Sequence, residues 1–148
     1  MSDDPDLGDL EARLGWRFVA RDRLQRALTH PSYAHEHPPT PSNETLAFLG
    51  DAVLGLVVAE LVWQRSPDGG PGGLTTERAA LVSAPSLARW AARLGLGAWL
   101  RLGRGEKQGG GRAKESVLAT ALEAVLGGIY LEGGLDPVRR LVARLGAL

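Results

Sequence analysis

Two acids stand inside an otherwise apolar stretch. Residues 42–63 begin Ser42-Asn43-Glu44-Thr45-Leu46-Ala47-Phe48-Leu49-Gly50-Asp51-Ala52-Val53-Leu54 and run on almost without charge to Trp63. Glu44 and Asp51 are seven apart, so on a helix they lie close to one face, two turns from each other. Asp51, amid Leu49, Ala52, Val53 and Leu54, needs a partner, a metal ion or a raised pKa. A second chemical signal lies downstream. Residues 89–114 carry seven bases against one acid, Glu106, and Gly109, Gly110 and Gly111 allow close approach of the backbone to an anion. Arg104, Lys107, Arg112 and Lys114 are the candidate phosphate contacts, a solvated flexible loop being the plainer alternative. His35-Glu36-His37 has the wrong spacing for a zinc-protease helix and lies among prolines, so it is assigned no role. With no cysteine in the chain, thiol nucleophiles, thiolate metal sites and disulfides are excluded.

The elements that must position these groups read as helices. Ser42 or Asn43 is a fitting N-cap, and the run that follows is apolar on nearly every face, which predicts a helix buried in the middle of the domain. Gly50 and Gly55 within it suggest close helix approach. Residues 116–131 predict a second buried helix, ended by Gly133 and Gly134, and residues 135–146 an amphipathic last helix with Arg139, Arg140 and Arg144 outward. Shorter helices are expected at 10–15, 21–29, 74–82 and 86–94. Residues 31–41 read as an irregular loop and 66–73 as a turn, both on their Pro and Gly content. No stretch alternates with period two for long enough to make a strand. The expected fold is all-α: two buried central helices surrounded by shorter ones. Residues 1–8 read as a flexible acidic N-terminus and 9–148 as one domain, long enough to bury its own core. Formal charge is zero, so no global field draws the chain to nucleic acid or membrane. No long uncharged apolar run and no basic leader are present, and the expected location is the cytoplasm. Trp16, Trp63, Trp90 and Trp99 are expected in the core or an interface.

The stretch from Asn43 to Leu54 resembles the signature helix of the ribonuclease III family, which usually reads N-E-R-L-E-F-L-G-D-[AS]-[VI]-L. The resemblance continues at Leu14-Gly15-Trp16 with Phe18, at Leu24 with Ala27-Leu28-Thr29-His30, and at Gly103 to Gly111, which is similar to the family's G-x-G-E-x-x-x-G-G loop. It covers nearly all of the chain from about residue 10. The separate double-stranded-RNA-binding domain that commonly follows the nuclease domain is expected to be missing.

The resemblance implies phosphodiester hydrolysis of double-stranded RNA by two divalent ions, Mg²⁺ or Mn²⁺, about 3.5–4 Å apart. It also implies four carboxylate ligands, two on each long helix. Here those positions hold Ala47, Asp51, Thr120 and Glu123, so two of the four acids are substituted, one per helix. Asp51 and Glu123, with Glu44 as a substitute ligand, are the candidate catalytic and metal-binding residues. With half of the carboxylates gone the site is expected to be impaired or silent, with no metal bound or one bound weakly. The family also implies a two-fold dimer, here through Phe48, Leu49, Ala52 and Val53. Three functions stay open: a degenerate dimeric domain that still binds RNA or a ribonucleoprotein, an active Mg²⁺-dependent double-strand-specific endoribonuclease, and a structural subunit of a heterodimer.

Overall fold

In a computed structural model, residues 5–146 are described, and among them the chain is helical without a strand. The helices are α1 (Leu7–Leu14), α2 (Arg21–Ala27), α3 (Pro31–Glu36), α4 (Glu44–Arg65), α5 (Pro71–Leu81), α6 (Ala84–Leu94), α7 (Arg104–Gln108), α8 (Glu115–Gly133) and α9 (Leu135–Gly146). Two 3₁₀ turns, Leu96–Trp99 and Gly111–Ala113, flank α7. One isolated parallel bridge ties Thr29 to Arg101: Arg101 N–H donates to Leu28 O at 2.8 Å and His30 N–H to Arg101 O at 3.0 Å.

α4 and α8 form the centre, and α6, α9 and α2 pack around them. Their backbones touch. A Cβ added to Gly50 would lie 1.6 Å from the carbonyl oxygen of Glu123, and one on Gly127 would lie 2.4 Å from that of Leu46. Only two glycines facing each other permit that crossing. Gly55, by contrast, has nothing within 4 Å, so the close approach expected of both glycines of α4 is real at one alone.

α8 is buried along most of its length. α4 is not. Less than half of its apolar run is buried, and Phe48 (82% exposed), Leu56 and Trp63 point outward in one stripe. The helix expected in the middle of the domain is there, but only one side of it is buried: that side packs on α8 and the other is open. Both long helices are apolar enough by length and composition to cross a bilayer, and here they pack against each other.

Two further boundaries differ from the sequence reading, and for one reason. Pro31 and Pro71 do not interrupt structure but open helices, at the first-turn positions where a missing N–H is no loss. Residues 31–36 thus form α3 rather than loop, and α5 starts at Pro71 instead of at a threonine cap near 75. At the N-terminus α1 begins at Leu7, with the Asp6 carboxylate accepting from Gly8 N–H at 2.9 Å. Residues 1–4 lie outside the described residues. α6 is capped by Ser83 Oγ at one end and by Gly95 at φ 66° at the other.

Candidate active site

The crossing of α4 and α8 places Asp51 and Glu123 side by side. Asp51 follows Gly50 directly, and Gly50 rests on the carbonyl of Glu123 itself. The two carboxyls share a hydrogen bond. Burial first, then that bond and the neighbouring charge of Asp51, push the Glu123 carboxyl up to about 8. Glu123 is therefore protonated at neutral pH and is the donor of that bond. The sequence marks Asp51 as the misplaced carboxylate, yet Asp51 is exposed and Glu123 is the half-buried one.

The two positions that the resemblance marks as substituted sit one helical turn before these acids: Ala47 four residues before Asp51, Thr120 three before Glu123. Ala47 is buried and offers only a methyl group, and Thr120 is half-buried. Glu44 is exposed on the first turn of α4, where its carboxylate accepts from Ser42 Oγ at 3.0 Å. Ser42 Oγ in turn accepts from Glu44 N–H at 3.3 Å, so Ser42 supplies the cap bond. Asn43, in the N-cap position, spends its side chain elsewhere, donating from Nδ2 to Ala27 O at 3.1 Å.

Among the described residues, no three Asp, Glu, His or Cys side chains come together as a metal-binding group. That donor set fits one Mg²⁺, which keeps several waters and takes one or two carboxylates from protein, and does not fit a two-ion centre. Asp51 and Glu123 are the residues that would hold it, and the ion would supply positive charge between the two helices.

Of the candidate phosphate contacts, Arg104 and Lys107 are exposed on α7. Lys114 lies 3.9 Å from Glu106. Arg112 turns inward, donating from Nη1 to Gly97 O at 3.0 Å and Leu100 O at 2.7 Å, so part of its guanidinium braces the turn before α7. Of the candidate dimer residues, Phe48 and Ala52 are exposed and Leu49 is half-buried, while Val53 faces the protomer's own core. Trp90 and Trp99 are buried, Trp16 is half-buried, and Trp63 stands 58% exposed on α4.

The sequence reading passed over Glu11 and Glu132. Glu132 accepts from Trp16 Nε1, Val19 N, Ala20 N and Arg23 Nη1 at 2.8–3.0 Å. Burial alone would raise its carboxyl, but those donors hold it below the usual carboxylate range. Glu11 accepts from Phe18 N–H at 2.6 Å and Arg21 Nη2 at 2.8 Å. Both carboxylates fasten the α1–α2 connection. Each lies beside a glycine-terminated helix end, which makes it look like an ordinary surface acid in the sequence.

Comparisons with known proteins agree with this architecture. A family model described as ribonuclease-III-like matches residues 21–146. Ribonuclease 3 of Heliobacterium modesticaldum is 50% identical over 139 residues, covering 93% of this chain and 59% of that protein. Ribonuclease 3 of Thermobifida fusca is 52% identical over 127 residues, covering 86% and 53% respectively. The chain thus spans a little over half the length of these curated relatives. Among solved structures, the nuclease domain of ribonuclease III from Campylobacter jejuni superimposes with a TM-score of 0.87 at 38% identity, over 95% of this chain and 92% of that one. A second structure of that domain, described for flexibility in its dimer-forming region, gives 0.89 at 37% identity, over 97% of this chain and all of the other. With the helical frame, the glycine crossing and these matches in agreement, the chain belongs to the ribonuclease III-like family.

Proposed function

We propose that this chain is a ribonuclease III-like domain whose cleavage centre is reduced to a single weak metal position, and that its retained role is binding double-stranded RNA or a ribonucleoprotein as a dimer in the cytoplasm. The observation that carries the reading is the Asp51–Glu123 pair. Asp51 and a protonated Glu123 stand where the family pattern implies four carboxylates. Two Mg²⁺ ions bring four positive charges, and this pair offers two negative charges at most, so close approach of a second ion is electrostatically unfavourable. The open stripe of α4, with Phe48 at its N-terminal half, supports a two-fold interface between copies. Duplex RNA would be read through phosphates and 2′-hydroxyls, with Arg104, Lys107 and Lys114 available at the surface.

Cleavage of a long RNA duplex, followed by gel with Mg²⁺ and with Mn²⁺, tests the reading. The unmodified chain is expected to cut slowly or not at all. Ala47→Glu combined with Thr120→Asp is expected to raise the rate by at least about a hundredfold, the scale on which a metal centre stabilises a transition state. Fast divalent-dependent cutting by the unmodified chain, abolished by Asp51→Asn, would instead establish a working endoribonuclease.

A further inference from the structure

Away from the acid pair, a cavity of about 260 Å³ opens between α1, α2, α3, the Leu96–Trp99 turn and α7. Its lining includes three cations, Arg101, Lys107 and Arg112, and among the described residues no Asp or Glu lines it. Its walls include Leu7, Leu28, Trp99 and Leu102. Two of the cations are fixed in place by neutral acceptors. Arg101 donates from Nε to Thr29 Oγ1 at 3.1 Å and lies 4.6 Å over the ring of Tyr33. Arg112 is held by the carbonyls of Gly97 and Leu100. Neither forms an ion pair with a carboxylate among the described residues.

Cations gathered on one pocket without a counter-charge repel one another, and a bound anion removes that cost. Arginine forks already oriented by other bonds suit the tetrahedral oxygens of a phosphate, since little side-chain freedom is lost on binding. The apolar part of the lining suits a flat, weakly polar group, and the volume is on the scale of a mononucleotide rather than of a duplex. We propose that this pocket binds a ribonucleoside 5′-phosphomonoester, with the phosphate on Arg101, Lys107 and Arg112 and the base against the leucines and Trp99. The phosphomonoester is supplied either by a free nucleoside monophosphate or by the 5′ end of an RNA strand. The site stands independently of the reading of Asp51 and Glu123.

Calorimetric titration of the full chain without divalent ions tests it, using AMP, adenosine, inorganic phosphate, and a short RNA strand with and without a 5′ phosphate. AMP or the phosphorylated strand should bind saturably, and at least about tenfold more tightly than its unphosphorylated counterpart or phosphate alone, as expected for losing a charge-assisted bond or the base contact. Preference for AMP assigns the free nucleotide as ligand; preference for the phosphorylated strand assigns the RNA end. Lys107→Glu, on an exposed turn where folding is not at stake, should weaken binding by at least about tenfold. Arg101→Met should do the same, with its fold checked by circular dichroism because Arg101 also holds Thr29. Equal binding of adenosine and AMP, equal binding of inorganic phosphate and AMP, no binding of any phosphorylated probe, or indifference to Lys107→Glu would each overturn the proposal.

Discussion

Glu123 holds a proton that an exposed glutamate would give up. Its carboxyl is raised to about 8 by burial and by Asp51, so between about pH 4.5 and 8 the folded chain keeps a proton that the unfolded chain has released. Stability must therefore fall as pH rises through that window and level off above it, the reverse of a salt-bridged carboxylate. Glu123→Gln, which keeps the shape and the donor, is expected to flatten this dependence: close to the parent at pH 5, more stable than it at pH 8.5. Thermal melts at several pH values check this, and an unchanged slope in the variant would mean that another group carries the proton. The sequence alone points to Asp51 as the unusual acid, because its neighbours in the chain are apolar. Burial, however, is set by the helix across the crossing, and that helix presses on Glu123. Glu132 was unreadable for the same reason: its four donors come from residues more than a hundred positions away.

At the scale of the helices, the crossing of α4 and α8 is what brings the two acids together. Gly50→Ala would force a methyl group into the Glu123 carbonyl, and Gly127→Ala one into the Leu46 carbonyl. Each is expected to destabilise the fold at or beyond the upper end of the roughly 1–3 kcal/mol typical of overpacked cores. Gly55→Ala meets nothing within 4 Å in the protomer and should add about 0.5–1 kcal/mol of helix stability. Urea titration of the variants measures both signs. The two long helices were legible from their apolar runs, and α6 and α9 from their spacing. What was not legible followed from proline. A proline that ends one element and a proline that begins the next look alike in a sequence, and Pro31 and Pro71 both begin helices.

For the molecule as a whole, the outward stripe of α4 is the feature a single protomer does not explain. Phe48, Leu56 and Trp63 are exposed on one helix, while the opposite side of that helix is core. Phe48→Asp is expected to shift the chain toward monomer in analytical ultracentrifugation with little change in helix content, because Phe48 is 82% exposed in the protomer. A monomeric parent chain would remove the dimer from the account. Of the residues the sequence offers for that surface, Phe48 and Ala52 are exposed and Val53 faces inward, since alternate sides of a helix cannot be told apart where both are apolar. The chain has the family's helical frame, and the proposed function depends on how much divalent charge that frame holds. Counting Mn²⁺ bound per protomer by electron paramagnetic resonance tests that most directly. The account predicts at most one weakly bound ion for the unmodified chain and two, more tightly held, once Ala47→Glu and Thr120→Asp restore the missing carboxylates. Two tightly bound ions on the unmodified chain, with no gain on restoring the acids, would contradict it.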